Sequence, residues 1–238
     1  ATLRQGIGIP ENAVVILNAN RNSQRKRHDL AISAFVELQA RHPQVPFYLL
    51  VATNVNPQAG AYYDVSRIHL EELAKRNMSE STYSSRLMLI DTSPNANLLT
   101  DDAINQLYNI ADIGINTSDG EGFGLCQLEH LYTGAPQVVT DNGNFQTILD
   151  TKVAAFVKPV DRAYFAGSMP LGLWAPVFRS EDVADALEKV VKNLPAYKKE
   201  VNNFRFKSWS TVCDDLLEDI LNLKGGDQAS TAIVQVLS

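Results

Sequence analysis

The chain has 238 residues, 45% hydrophobic and 20% charged, which provides a packed core for one large domain or two small ones and excludes wholesale disorder. A formal net charge of −6 disfavours a general nucleic-acid binder, which would present a basic face. Two cysteines, Cys126 and Cys213, are too few for a metal knuckle or a disulfide framework and point to a reducing compartment, and no apolar run reaches transmembrane length or forms a signal peptide.

Strand-like and helix-like segments alternate along the chain. Ala13–Ala19 is a short apolar run rich in β-branched residues and reads as a buried strand. His28–Arg41 carries Leu30, Ala31, Ala34, Phe35 and Leu38 at helical spacing. Phe47–Ala52 is a second strand, and Asp64–Arg76 a second helix with Ile68, Leu70 and Leu73 apolar. Arg86–Ile90 is a third strand. Thr100 or Asp101 caps a helix running to about Ala111. Ile113–Asn116 is a fourth strand, followed by a glycine-rich turn and a helix to Tyr132. Gln137–Thr140, a short helix at Gly143–Leu149 and a strand at Val153–Val157 complete the alternation. Asp161–Phe178, with its prolines and glycines, reads as an excursion. Ser180–Asn193 reads as a helix capped by Ser180, with Val183, Ala184, Leu187 and Val190 inward, and Ser208–Leu223 as a last helix. Gly225–Ser238 opens on Gly-Gly and reads as a flexible tail.

This alternation predicts an α/β fold: a doubly wound, parallel, six-stranded Rossmann-like sheet with helices on both faces. Ligands of such sheets bind beyond the carboxyl ends of the strands. Two loops with unusual chemistry stand there. Asn20–Arg27 (NRNSQRKR) follows the first strand and places Arg21 and Lys26 five apart. An arginine grips phosphate oxygens bidentately and a lysine adds a point charge, so the pair suits a diphosphate. A solvated basic loop is the plain alternative. Thr117–Gly124 follows the fourth strand and leads into EGFGLCQLE. Its glycines expose backbone N–H groups at a helix start, where anions bind. Glu121 beside such a site would repel an anion, unless its oxygens accept hydrogen bonds from a sugar's hydroxyls.

Glu121 and Glu129 are poor candidates for a glycosidase pair. Such carboxyls lie about 5–10 Å apart, and eight helical residues separate Cα atoms by about 12 Å. Gly120-x-Gly122-x-Gly124 is not a dinucleotide fingerprint, because Leu125 stands where the third glycine is required, one position after Gly124, and the turn follows the fourth strand. No phosphate-binding P-loop occurs, and the four histidines show no ligand spacing. His130 reads as structural.

Taken together, these residues resemble the C-terminal, donor-binding half of the retaining glycosyltransferases of family 4, which have the two-domain glycosyltransferase B fold. The likeness rests on Glu121 and Glu129 separated by seven residues, on Arg21 and Lys26 after the first strand, on Gly134–Gly143 (GAPQVVTDNG), and on Phe206-Lys207-Ser208-Trp209-Ser210 at the start of the last helix. It covers roughly Gly6 to Leu223. The resemblance implies that residues 1–224 form a nucleotide-sugar-binding domain and that a hexose passes, with retention, from a GDP- or UDP-hexose (mannose among them) to a sugar acceptor. Arg21 and Lys26 would hold the diphosphate. Glu121, with the N–H groups of Gly122, Phe123 and Gly124, would position the donor sugar. The Leu125 backbone would meet a phosphate, and Glu129 would accept from ribose hydroxyls. Asn20 and Thr92 would complete the donor side, the base lying near Asp91–Ser93. No cofactor and no metal is implied, because cationic side chains take the metal's role.

Gln146-Thr147 departs from the family, which often has an acidic residue there. The chain begins at Ala1 without a methionine, and no second sheet's worth of sequence precedes it. The acceptor-binding N-terminal domain is therefore expected upstream in a longer polypeptide or on a partner chain. The resemblance implies a cytoplasmic enzyme, with any membrane contact made through that domain. A non-catalytic nucleotide-sugar binding module and a nucleotide-sugar epimerase remain as alternatives.

Overall fold

The computed structural model describes residues 3–94, 96, 99–142, 144–165, 173–205 and 208–223. The chain divides into two compact units, Ala1–Asn202 and Asn203–Ser238. In order, the first unit runs α1 (Leu3–Gly6), β1 (Val14–Asn18), α2 (His28–Arg41), β2 (Phe47–Thr53), α3 (Val65–Lys75), α4 (Glu80–Tyr83), β3 (Leu87–Asp91), α5 (Asp101–Ile110), β4 (Ile113–Asn116), α6 (Leu125–Tyr132), β5 (Gln137–Thr140), α7 (Phe145–Ile148), β6 (Ala154–Val157), β7 (Asp161–Phe165), β8 (Leu173–Val177), α8 (Ser180–Lys192) and α9 (Leu194–Asn203). The last residue of α9, Asn203, already belongs to the second unit, which contains α10 (Trp209–Leu223). The tail from 225 to 238, and Phe206 and Lys207 of the proposed last-helix signature, lie outside the described residues.

Six parallel strands form one sheet in the order β3-β2-β1-β4-β5-β6, as the alternation predicts. Both faces are buried, and successive strand residues serve opposite cores. Ile16 of β1 and Phe47, Leu49 and Val51 of β2 join α2, α3 and α8 on one face. Val15 and Leu17 of β1 and Leu50 and Ala52 of β2 join α5 on the other. That period of two, buried on both sides, is why these strands read as continuous apolar runs. Val183, Ala184, Leu187 and Val190 of α8 are fully buried; Val183, Leu187 and Val190 each contribute about 1.5–3 kcal/mol relative to exposure, and the smaller Ala184 less.

Thr100 caps α5 through a hydrogen bond that its Oγ1 accepts from the Ala103 N–H. The cap of α8 differs from expectation: Arg179 is the N-cap, and Ser180 is the first helical residue. The stretch read as an excursion contains β7 and β8, an antiparallel pair forming a separate two-stranded sheet. Helices α1, α4 and α9 have no counterpart in the sequence reading. Among the described residues no helix is long and apolar enough to cross a membrane.

The order of connection reverses between β1 and β4, which are neighbours. In a doubly wound sheet a crevice opens at that switch point, beyond the strands' carboxyl ends. The loops after β1 and β4 are the two singled out by sequence.

Candidate functional site

The loop after β1 is anchored before it can act. Asn22 is buried and uses its whole amide: Nδ2 donates to the carbonyls of Asn54 and Tyr63, and Oδ1 accepts from the N–H groups of Tyr62 and Tyr63. Tyr63 Oη donates to the Gln24 carbonyl. A 3₁₀ turn at Gln24–Lys26 follows, and Arg27 then adopts φ 48°, ψ 52° before α2 begins. A left-handed arginine costs about 1–3 kcal/mol. It is held there by Asp29 at 3.0 Å and by Asp119 of the second loop at 3.3 Å. Burial pushes Asp119 up, and Arg27 only partly offsets it.

The second loop is tied to the first by backbone and hydroxyl groups. Asp119 N–H donates to the Arg25 carbonyl, and Thr117 Oγ1 donates to the Arg27 carbonyl at 2.8 Å. From the other side, Thr140 Oγ1 and Asn142 Nδ2 donate to the Ser118 carbonyl. The two loops therefore form one rigid structure despite their distance in sequence.

Lys26 sits at its centre with a side chain only 6% exposed. Its ammonium donates to Asn20 Oδ1 at 2.9 Å and to both Glu121 oxygens, at 2.6 and 2.8 Å. Asn20 is itself buried; its Nδ2 donates to Asn18 Oδ1, and Asn116 Nδ2 donates to Asn20 Oδ1 and to Gln127 Oε1. A chain of buried amides thus fixes Lys26 from below. Arg25 grips Glu121 at 2.7 Å from the exposed side and also donates to the Gly120 carbonyl. Burial pushes the Glu121 carboxyl up, but hydrogen bonds from Lys26 and Arg25 outweigh it and hold the group below the usual glutamate range. Burial lowers the Lys26 ammonium, which Glu121 only partly restores.

Gly124 caps α6 at φ 77°. The N–H groups of Gly122, Phe123, Gly124 and Leu125 have no hydrogen-bond partner among the described residues. With the positive end of α6 they offer unpaired donors of the kind that suit an anion, on the turn that also carries Glu121. Phe123 and Leu125 expose their side chains.

The remaining predicted residues fall around this centre. Arg21 is exposed, and its side chain has no ion pair among the described residues; its carbonyl accepts from His28 Nε2. Glu129 is exposed on α6, with Oε2 accepting from Tyr108 Oη at 2.8 Å. Thr92 is exposed at the carboxyl end of β3, the edge strand, separated from β1 by β2. His130 is buried and stacks on Tyr108. Among the described residues no cluster of histidine, cysteine and carboxylate could hold a metal. Sequence reasoning missed Arg25, Asn22, Asn116 and Gln127. An asparagine three positions after the predicted strand end was a signal for a clamp; nothing in RKR tells which arginine faces the site. A cleft of about 540 Å³ at the amino ends of β4 and β5 includes Arg4 and Lys198, but both are engaged by Asp112.

The sequence profile described as "Glycosyl transferases group 1" matches residues 12–170, well over half of the chain. The chain belongs to this family. A D-inositol 3-phosphate glycosyltransferase 2 of Catenulispora acidiphila is 24% identical over 220 residues, covering 88% of this chain and 49% of that protein. A mannosylfructose-phosphate synthase of Agrobacterium fabrum is 28% identical over 162 residues, covering 67% and 32%. The chain thus spans half or less of the length of these relatives. The C-terminal domain of a group 1 family glycosyl transferase of Francisella tularensis superposes with TM-score 0.59 at 18% identity, covering 84% of this chain and 85% of that one. A glycosyltransferase of Rickettsia africae gives TM-score 0.60 at 18% identity, covering 94% and 51%. The fold is that of the C-terminal domain of the glycosyltransferase B architecture.

Proposed function

We propose that this chain is the donor domain of a retaining hexosyltransferase, transferring a hexose from a GDP- or UDP-hexose to a sugar acceptor. The observation that carries the reading is the meeting of Lys26, Arg25 and the open N–H groups of Gly122–Leu125 at the β1/β4 switch point. Cationic and dipolar groups converge there on one edge, where a diphosphate leaving group would gather charge. Arg21, exposed in the same loop as Lys26, would add a further cation. Glu121 accepts from hydroxyls of the donor sugar, and Glu129, exposed one turn into α6, from the ribose. The relatives' printed activities, glycosyl transfer to an inositol phosphate and mannosylfructose-phosphate synthesis, support a sugar acceptor and leave mannose among the candidate hexoses. The acceptor site belongs to an N-terminal domain in the parent protein or a partner chain. The charge carried by lysine and arginine supports a reaction without a metal. Two free cysteines accord with a cytoplasmic setting.

Isothermal titration with GDP, UDP and ADP tests the reading. At least one of them should bind at millimolar affinity or better; no binding by any of them would sink it.

A further inference from the structure

We propose that Glu121 is a donor-selectivity residue: in the donor-free chain its carboxylate occupies the diphosphate's seat on Lys26, and only a ligand carrying hydroxyl donors compensates its displacement. The inference rests on the donor-site reading above and deepens it.

An ammonium group has three N–H donors. Those of Lys26 go to Asn20 Oδ1 and to the two oxygens of Glu121, so none remains for a phosphate oxygen. One partner must leave. Asn20 is held in the buried chain with Asn18 and Asn116, all at most 2% exposed. Glu121 stands on the glycine-rich turn before α6, and its other cationic partner, Arg25, has a side chain 46% exposed. The side that yields is Glu121.

A displaced Glu121 stays near the site, because Arg25 and Ser118 Oγ, at 2.7 and 3.2 Å, also hold it. Its charge then faces the diphosphate. Like charges at that range disfavour each other unless donors stand between them. The hydroxyls of the transferred sugar supply such donors to Glu121; a bare nucleoside diphosphate has only its ribose hydroxyls, which the donor-site reading gives to Glu129. The same carboxylate therefore favours the intact donor and expels the nucleotide product. Arg25 keeps Glu121 close to the site while Lys26 changes partner.

The test is titration of wild type, Glu121→Gln and Glu121→Asp with GDP, GDP-mannose, UDP and UDP-glucose. Wild type should bind the cognate nucleotide sugar more tightly than its diphosphate. In Glu121→Gln the diphosphate should gain about tenfold or more, the worth of a released charge-assisted bond, while the nucleotide sugar loses affinity, so the preference collapses. Should that variant not fold, Glu121→Asp carries the test. Its carboxylate is withdrawn by one methylene, and its diphosphate affinity should rise about threefold. Diphosphate affinity unchanged or weakened in the folded variants overturns the inference while leaving the donor site standing. Absence of binding by every probe to every protein overturns the donor-site reading and this inference with it.

Discussion

Replacing Gly124 by alanine probes the turn that presents the open N–H groups of Gly122–Leu125. Gly124 stands at φ 77°, ψ 48°, as the residue before α6. A side chain in that left-handed region costs about 1–2 kcal/mol. The added Cβ would fall 2.4 Å from Phe145 Cε1 and 2.9 Å from its Cζ. Phe145 is completely buried, so its ring has nowhere to swing, and overpacking of this kind costs about 1–3 kcal/mol. Gly124→Ala should therefore destabilise by about 2–5 kcal/mol. Gly122→Ala is the internal control. Nothing lies within 4 Å of its Cβ position and its φ is not left-handed, so its cost should stay within about 0.5 kcal/mol. Urea unfolding followed by far-ultraviolet circular dichroism reads both, provided the m-values agree. Equal costs for the two variants, or a Gly124→Ala protein as stable as wild type, would refute the reasoning.

Three further outcomes follow from the site and the core. Lys26→Met and Glu121→Gln, singly and together, should show a stability coupling of about 1.5–3 kcal/mol, because their side chains are only 6% and 10% exposed; a coupling below about 0.5 kcal/mol would deny the ion pair its role. Arg21→Ala combined with Lys26→Ala should weaken nucleoside diphosphate binding by about 2–4 kcal/mol, and calorimetry showing retained affinity would remove these residues from the phosphate site. Burial pushes His69 and His130 down to about 4. Their folded values lie below the unfolded value of about 6.5, so the unfolded chain binds more protons between the two. Stability is then complete above about pH 6.5 and falls toward pH 4 by about 1.4 kcal/mol per unit for each histidine. Urea midpoints at pH 7, 6 and 5 should trace that slope, and His69→Phe should flatten it by one histidine's share; a flat wild-type profile would contradict the assignment.

Much of the sheet was legible because a strand buried on both faces leaves an uninterrupted apolar run. β4 and β5 fall where the sequence places them, and α2 spans His28–Arg41 as its stripe requires. The misses have physical causes. In α9 only Tyr197 and Val201 are buried, too sparse a stripe to stand out. The β7–β8 pair lies in a stretch whose prolines and glycines argue for a loop, yet Pro176 lies within β8, a strand with a single partner. Such an edge tolerates a missing N–H donor. At the site, Lys26 and Glu121 were each legible from residue type and position. Their contact was not, because it depends on β1 and β4 being neighbours. Alternation of elements predicts a parallel sheet without giving the order of its strands.

The ion pairs explain why that contact matters. Arg25, Lys26 and Arg27 face Glu121, Asp29 and Asp119. These groups neutralise one another without a ligand, so the cationic loop read from the sequence is not a ready-made phosphate trap. Of the loop's cations, Arg21 stands apart from the pairing. On the proposed reading, an arriving diphosphate would meet the open N–H groups of Gly122–Leu125 first, and would reach Lys26 only as Glu121 yields. Under the proposal above, the opposition between a glutamate and an anion would thus become a device of the fold, with the Glu121 carboxylate, held by Lys26 and Arg25, as the group the anion must displace.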